Sequence, residues 1–121
     1  MFSAKQPTMV YLIDDDKSVR RSFGLFLKSA GMDYKSFESA DSFSSSVEPQ
    51  VNDTIILDLN LPGTSGCEFL QILRSKKNDV PVIVVTAFDE PQSRKLCSEL
   101  GVKAYLRKPV DGEALIDLIF K

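Results

Sequence analysis

The chain has 121 residues, of which 43% are hydrophobic and 26% are charged, with a formal net charge of −2. The length predicts one domain over residues 1–121, with residues 1–7 as a polar tail. This charge gives no electrostatic reason to expect a nucleic-acid partner, which would favour a basic face, and no apolar stretch approaches the roughly 18 residues that cross a membrane. Histidine is absent, which excludes Ser-His-Asp and Cys-His catalysis and histidine metal sites within this chain.

Five apolar runs alternate with five helical patterns along the chain. The predicted strands are residues 8–13, 34–37, 54–58, 81–87 and 103–107, and the predicted helices are residues 17–30, 39–47, 66–76, 90–100 and 112–120. The first, third and fourth runs are nearly continuous in aliphatic residues, which is typical of parallel strands covered on both faces. This alternation predicts an α/β fold, a doubly wound parallel sheet with helices on both faces.

Local signals indicate how several of these elements begin and end. Asp16 and Asp89 stand where a capping side chain would begin the first and fourth helices. Gly63 and Gly66 are expected to serve the turn geometry after the third strand. The charged stretch 74–79, with the sequence RSKKND, is interpreted as a solvated helix end and loop.

The two cysteines, Cys67 and Cys97, are too few and too unpatterned for a disulfide framework or a zinc site. We expect both to be buried as small hydrophobic side chains. A chain without a disulfide framework suits a reducing compartment, so the predicted location is the cytoplasm.

The last predicted helix is more apolar than one buried face requires. Leu115, Leu118 and Ile119 can face the sheet, which leaves Ile116 and Phe120 four residues apart on another side. As a hypothesis, Ile116 and Phe120 help to form a surface for a partner or for a second copy of the chain. Ordinary partial exposure is the alternative interpretation.

Polar side chains stand at the ends of four predicted strands. Asp14 and Asp15 follow the first strand, Asp58 ends the third, Thr86 lies at the end of the fourth, and Lys108 follows the fifth. Ligands of doubly wound sheets bind at the carboxyl ends of the strands, so we expect these side chains to meet at one rim. Clustered carboxylates repel one another, and Mg²⁺, which prefers oxygen ligands, would remove that repulsion. The sequence therefore predicts that Mg²⁺ and the Lys108 ammonium together compensate the charge of Asp58.

Four motifs carry a resemblance to a known family. They are LIDDDKSVRRS from residue 12, IILDLNLPGTSG from residue 55, VVTAF from residue 84 and AYLRKP from residue 104. In their order and intervals they resemble the receiver domain of bacterial two-component response regulators, over essentially the whole chain. The resemblance implies a flavodoxin-like fold with five parallel strands in the order 2-1-3-4-5. It also implies a phosphorylation-dependent signalling switch.

The resemblance implies a phosphoacceptor and a metal site among the acidic residues. Asp58 matches the phosphoacceptor, which forms an aspartyl phosphate and also contacts the metal. Asp15 matches the direct Mg²⁺ ligand, Asp14 the ligand that holds Mg²⁺ through water, and Asn60 the ligand that uses its backbone carbonyl.

The remaining motif positions match the switch of the family. Thr86 would donate its hydroxyl to the phosphoryl oxygens, and Lys108 would pair with them. If Thr86 moves inward, Tyr105 can fill the space that it vacates, so these two residues form the expected switch. The Lys108-Pro109 bond resembles the cis peptide of the family.

The resemblance also implies partners. The phosphoryl donor would be a sensor histidine kinase or a phosphotransfer protein, necessarily another chain because this one has no histidine. The output would be an effector domain or a homodimer, without direct contact of this domain with nucleic acid or membrane. We expect no enzymatic activity beyond slow loss of the phosphoryl group to water.

Three alternatives were weighed against this interpretation. A haloacid-dehalogenase-like phosphatase needs a second acid two residues after its nucleophile, and Asn60 cannot transfer a proton there. A degenerate receiver that only binds partners usually lacks an acid or the lysine, and this chain has both. A flavodoxin would carry a phosphate-binding loop after the first strand, where this chain has acidic residues.

Overall fold

The computed structural model describes residues 7–120, in which five strands and five helices alternate along the chain. Of the predicted tail 1–7, residues 1–6 lie outside the described residues. The elements are β1 (Val10–Ile13), α1 (Lys17–Ser29), β2 (Tyr34–Phe37), α2 (Ala40–Ser46), β3 (Thr54–Asp58), α3 (Gly66–Ser75), β4 (Val82–Thr86), α4 (Pro91–Glu99), β5 (Ala104–Arg107) and α5 (Gly112–Phe120).

The five strands form one parallel sheet in the order β2-β1-β3-β4-β5. This arrangement confirms the predicted fold class and strand order. In the register of the sheet, Ile13 pairs with Leu57, and Asp58 pairs with Val85. The carboxyl ends of β1, β3 and β4 are therefore nearly level, which places the residues that follow them at one rim.

Two apolar clusters cover the two faces of the sheet. One packs β3 residues Ile55 and Leu57 under α2, α3 and α4, and the other packs Ile56 under α1 and α5. Successive strand residues point to opposite faces, so a strand that is buried on both sides needs apolar residues at every position. This explains the unbroken aliphatic runs of β3 and β4, whose residues are all buried.

The predicted cap of α1 is confirmed, whereas that of α4 is wrong. The Asp16 carboxylate accepts hydrogen bonds from the backbone N–H groups of Ser18 and Val19. The N-cap of α4 is instead Glu90, whose side chain makes no capping hydrogen bond. Asp89 lies one residue too early and pairs with the Arg94 guanidinium instead.

The stretch RSKKND is less solvated than predicted, because Arg74 is partly buried. Its guanidinium donates hydrogen bonds of 2.8 to 2.9 Å to the carbonyl oxygens of Asn78, Val80 and Leu100. Burial lowers the pKa of Arg74, and Asp79 opposes that shift. Arg74 thus joins the end of α3, the entry to β4 and the end of α4.

The prediction that both cysteines are buried is confirmed for Cys97 and wrong for Cys67. Cys97 is fully buried, and burial, with the charge of Cys67, raises the pKa of its thiol to about 11. Cys67 is half-buried rather than buried.

Ile116 and Phe120 on α5 are half-buried and pack against the cluster beneath α1 and α5, so their role in a partner surface stays a prediction. Among the described helices, none has the length and apolar character that a bilayer span requires.

Candidate functional site

Three carboxylates converge at the rim formed by β1 and β3. One oxygen from each of Asp14, Asp15 and Asp58 lies within 4.8 Å of the others. Asp14 and Asp58 are 3% and 4% exposed, whereas Asp15 is exposed to solvent. The pocket therefore holds two buried acids and one acid at its mouth, as expected from the strand ends.

Lys108 brings a positive charge from the residue that follows β5. Its ammonium lies 2.7 Å from Asp14 Oδ2 and 3.4 Å from Asp58 Oδ2. Burial by itself would lower the pKa of Lys108, but the hydrogen bond to Asp14 and the charges of both acids raise it. The peptide bond between Lys108 and Pro109 is cis.

The Asp58 carboxylate remains incompletely compensated. Its pKa is raised, chiefly by burial and also by the charge of Asp14, although the Asn60 N–H and the Lys108 ammonium lower it. The Asn60 N–H donates a hydrogen bond of 3.1 Å to Asp58 Oδ1. Burial and Asp14 thus destabilise the charged form of Asp58 by more than Asn60 and Lys108 stabilise it. An additional cation beside this carboxylate would stabilise its negative charge.

The residues fit Mg²⁺ by their chemistry. Three carboxylates that converge on one point offer hard oxygen ligands, which Mg²⁺ and Ca²⁺ prefer to nitrogen or sulfur. The part of the chain from residue 7 to residue 120 has no other group of three such side chains. Two observations therefore match the residues to Mg²⁺. They offer three carboxylate ligands, and the raised pKa of Asp58 indicates that its negative charge is not fully compensated by the protein.

The β3–α3 loop places α3 directly against the end of β3. The Gly66 N–H donates a hydrogen bond of 3.0 Å to the Leu59 carbonyl. A Cβ atom at Gly66 would lie 2.5 Å from the Asp58 carbonyl oxygen, so only glycine fits this approach. Ser65 and Glu68 form a capping box at the start of α3. The prediction that Gly66 serves the turn is confirmed.

Thr86 ends β4 and is 1% exposed. Its hydroxyl accepts a hydrogen bond from the Phe88 N–H and donates one to the Phe88 carbonyl, both 3.2 Å long. The hydroxyl is therefore engaged by the β4–α4 loop. Any movement of Thr86 toward Asp58 must exchange these two hydrogen bonds for others.

Tyr105 lies on β5, packed against the α4 side of the sheet. Its hydroxyl is buried and has no partner at standard hydrogen-bond geometry within residues 7–120, although it lies near enough to the Asp89 carboxylate to interact with it. Burial, together with the charge of the nearby Asp89, raises the pKa of this phenol. The Arg94 guanidinium carbon lies 5.1 Å from the centre of the Tyr105 ring, within the range of a cation–π contact.

Sequence reasoning missed three polar residues that support the site. Arg20 donates a hydrogen bond of 2.8 Å to the Asp14 carbonyl and so fixes the β1–α1 turn. Arg94 covers Tyr105, and Asp41 contacts Thr64 in the β3–α3 loop. No local pattern marks the contact of Arg94 with Tyr105 or that of Asp41 with Thr64, because these partners come from other elements. Arg20 with Asp14 and Arg94 with Asp89 are close in the sequence, six and five residues apart.

Comparison with known proteins decides the family. A family model described as the response regulator receiver domain matches residues 10–120. The chain belongs to this family. Receiver domains of response regulators act in two-component systems, and their fold is typical of phosphoacceptor signalling domains rather than of catalytic enzymes. Receiver domains typically bind Mg²⁺ at an acidic pocket, and this receiver domain has such a cluster of aspartates.

Individual relatives agree with this assignment. The receiver domain is 34% identical to the transcriptional regulatory protein FixJ of Azorhizobium caulinodans over 107 residues, which are 88% of this chain and 51% of that protein. It is also 34% identical, over 88% of its length, to 28% of a cyclic di-GMP phosphodiesterase of Thermotoga maritima. A crystal structure of a response regulator receiver protein from Pseudomonas putida is 28% identical, with a TM-score of 0.86 over 97% of this chain and 98% of that one.

The receiver domain spans about half or less of the length of these two curated relatives. Their names describe whole proteins with different activities, one a transcriptional regulator and the other a phosphodiesterase. The feature that they share with this chain is the receiver domain, which is consistent with a phosphorylation-dependent switch.

Proposed function

We propose that this receiver domain accepts a phosphoryl group on Asp58. The proposal rests chiefly on the convergence of Asp14, Asp15 and Asp58 beside Lys108 at the carboxyl rim of the sheet. An Asp58 carboxylate oxygen attacks phosphorus, the bond from phosphorus to the donor breaks, and an aspartyl phosphate forms. The donor would be a phosphohistidine on a sensor histidine kinase or a phosphotransfer protein, and it must lie on another chain because this one has no histidine.

Asp14, Asp15, Asp58 and the Asn60 backbone carbonyl would hold Mg²⁺, with Asp14 acting through water. When bound, the cation neutralises the carboxylates and the phosphoryl oxygens that join them. Lys108 then pairs with the phosphoryl oxygens, and the neighbouring acids orient its ammonium beforehand. These residues supply positioning and charge neutralisation, which are the main requirements of phosphoryl transfer.

The switch would use Thr86 and Tyr105. A phosphoryl group on Asp58 gives the Thr86 hydroxyl a charged acceptor, which forms stronger hydrogen bonds than the neutral Phe88 backbone does. As Thr86 leaves Phe88, the β4–α4 loop loses two hydrogen bonds, and Tyr105 takes the vacated space. Phosphorylation thereby changes the surface around α4 and β5, which an effector domain or a second copy of the chain would recognise. Ile116 and Phe120 on α5 are the proposed apolar contribution to that surface.

Two further features complete the proposal. The aspartyl phosphate is lost slowly to water, so the domain is a self-limiting switch rather than an enzyme. Residues 1–121 form one domain that acts in the cytoplasm, without direct contact of this domain with nucleic acid or membrane.

Mass spectrometry after treatment with acetyl phosphate and Mg²⁺ tests the phosphoacceptor. The wild type should gain one phosphoryl group, Asp58→Asn should gain none, and the matched variant Asp16→Asn should label like the wild type. Asp16 caps α1, and asparagine caps a helix as well as aspartate does. Labelling of Asp58→Asn at the wild-type level would contradict the assignment of Asp58.

A phosphatase is the competing function, and its measurement is turnover. A haloacid-dehalogenase-like enzyme would hydrolyse a small phosphate ester repeatedly and fast, whereas a receiver domain should release phosphate no faster than its aspartyl phosphate is slowly lost to water. Sustained turnover by the wild type, absent in Asp58→Asn, would favour the phosphatase. The family match and the lack of an acid at position 60 support the receiver instead.

A further inference from the structure

Asp41 in the first turn of α2 contacts the loop that connects β3 to α3. The Thr64 hydroxyl donates a hydrogen bond of 2.7 Å to Asp41 Oδ1, and the Thr64 N–H donates one of 3.4 Å to Asp41 Oδ2. The two residues are 23 positions apart in the sequence. One carboxylate thus holds both the side chain and the backbone of Thr64.

Gly63 shows how closely this loop approaches the carboxylate. Its φ is +71°, and a Cβ atom built there would lie 2.8 Å from Asp41 Oδ2. A side chain at this position would be strained by the backbone conformation and would also push Asp41 away. The Gly63–Thr64 segment is therefore shaped to lie against Asp41.

The contact lies at the one part of the loop that has few other restraints. Near Asp58 the loop is fixed by the hydrogen bond from the Asn60 N–H to Asp58, and Leu61 is buried in the core. Pro62 and Gly63 are exposed. The tip of the loop consequently depends on the contact between Thr64 and Asp41.

We propose that Asp41 is a positioning residue for the cation site. By holding Thr64, it restrains the tip of the β3–α3 loop, and through Pro62 and Leu61 it narrows the positions that are open to the Asn60 carbonyl. Asp41 itself stands outside the group of three acids that could hold a cation within the described residues. The inference rests on the proposed function, because it assigns the Asn60 carbonyl to Mg²⁺.

Calorimetric titration of the unphosphorylated protein with Mg²⁺ tests this role. Thr64→Val removes the hydroxyl, Thr64→Ser keeps it, Asp41→Ala removes both acceptors, and Asp41→Asn keeps one acceptor oxygen without the charge. Glu48→Ala is the control, since it removes one negative charge from an exposed residue beyond the other end of α2. Amide hydrogen exchange of residues 60–66 in metal-free buffer provides a readout independent of Mg²⁺.

Asp41→Ala and Thr64→Val should each weaken Mg²⁺ binding by between about twofold and tenfold, the range that one hydrogen bond spans. The double variant should bind no more weakly than Asp41→Ala, because Asp41→Ala already removes the hydrogen bond that Thr64→Val removes. Thr64→Ser, Asp41→Asn and Glu48→Ala should stay near the wild type. Exchange of the loop amides should accelerate in Asp41→Ala and Thr64→Val alone.

Two results would overturn the role of Asp41. One is wild-type Mg²⁺ affinity in both Asp41→Ala and Thr64→Val, and the other is additive losses in the double variant. If the wild type itself binds no Mg²⁺, the proposed function fails and the positioning role fails with it. That failure is visible in the wild type, whereas failure of the positioning role alone is visible only in the variants.

Discussion

The Lys108 ammonium lies 2.7 Å from Asp14 Oδ2 and is therefore bound chiefly to Asp14 rather than to Asp58, from which it is 3.4 Å away. The sequence led us to expect Lys108 as a partner of Asp58. The difference matters because it leaves Asp58 the less compensated of the two buried acids, with a raised pKa. The site thus holds a buried carboxylate that is short of positive charge, next to a lysine whose ammonium is already oriented by Asp14.

The first prediction concerns the loss of Lys108. Lys108→Ala leaves two neighbouring buried carboxylates without their cation, so it should lower the free energy of unfolding by about 2 kcal/mol in metal-free buffer. Removal of one partner of a fully buried pair costs about 3–5 kcal/mol, and the partial exposure of Lys108 reduces that figure. Urea unfolding measures the change.

Lys95→Ala is the matched control, because it removes the same charge from an exposed position on α4. It should change the free energy of unfolding by less than about 0.5 kcal/mol. Equal effects of the two substitutions would show that Lys108 has no special electrostatic role.

The second prediction follows from the raised pKa of Asp58. The folded protein binds a proton at Asp58 more tightly than the unfolded chain does, so the contribution of Asp58 to stability falls as pH rises from below 3.8 through the raised pKa. At pH 7 the ionised group costs stability. Asp58→Asn should therefore raise the free energy of unfolding at neutral pH by about 1 kcal/mol, the low end of the gain from removing buried charge.

This gain should shrink as pH falls through the raised pKa toward the ordinary value of 3.8, and it should stay constant at lower pH, where both states of the wild type carry a protonated Asp58. Unfolding curves of the wild type and of Asp58→Asn in metal-free buffer at several pH values provide the comparison. A variant that is less stable than the wild type at neutral pH would contradict the direction given for Asp58.

The third prediction concerns stabilisation by Mg²⁺. A cation that binds only the folded state, at a concentration one hundred times its dissociation constant, adds about 2.7 kcal/mol to the free energy of unfolding. Thermal unfolding with and without Mg²⁺ should show this gain in the wild type and a smaller one in Asp15→Asn. Asp16→Asn should retain the full gain, because Asp16 caps α1. Equal responses of the two variants would remove Asp15 from the set of ligands.

The fourth prediction concerns Arg74. Arg74→Lys keeps the charge but cannot reproduce the planar guanidinium that reaches three carbonyl oxygens, so it should lower the free energy of unfolding by about 2 kcal/mol. Arg21→Lys, at an exposed position on α1, should have little effect. Chemical unfolding of the two variants measures the difference. If Arg74→Lys is as stable as the wild type, the three hydrogen bonds of Arg74 contribute little to the free energy of unfolding.

The fifth prediction concerns Lys77, which follows the C-cap of α3 with a φ of +60°. Glycine adopts this left-handed conformation without the steric cost of a Cβ atom, so Lys77→Gly should raise the free energy of unfolding by roughly 0.5–1 kcal/mol. The neighbouring Lys76 has a φ of −85°, and Lys76→Gly should lower the free energy of unfolding instead. Urea midpoints that move in the same direction for both variants would contradict this explanation.

The layers of the fold and the rim where the acids meet could be predicted from the order of the residues alone. Aliphatic runs in β3 and β4 indicate strands buried on both faces, and residues at the carboxyl ends of parallel strands must share one edge of the sheet. Asp14, Asp58 and Thr86 could be placed together for this reason. The periodicity fixes which residues follow a strand, and that is sufficient to locate a site built from strand ends.

The pairing of the polar groups, in contrast, could not be predicted and became clear only from the folded arrangement of the helices on the sheet. Lys108 could be placed at the rim from its position after β5, but its preference for Asp14 over Asp58 depends on differences below 1 Å. The contacts of Asp41 with Thr64 and of Arg74 with Leu100 join residues that are 23 and 26 positions apart. Such pairs have no periodic signature, because long polar side chains reach their partners only after the helices have packed on the sheet.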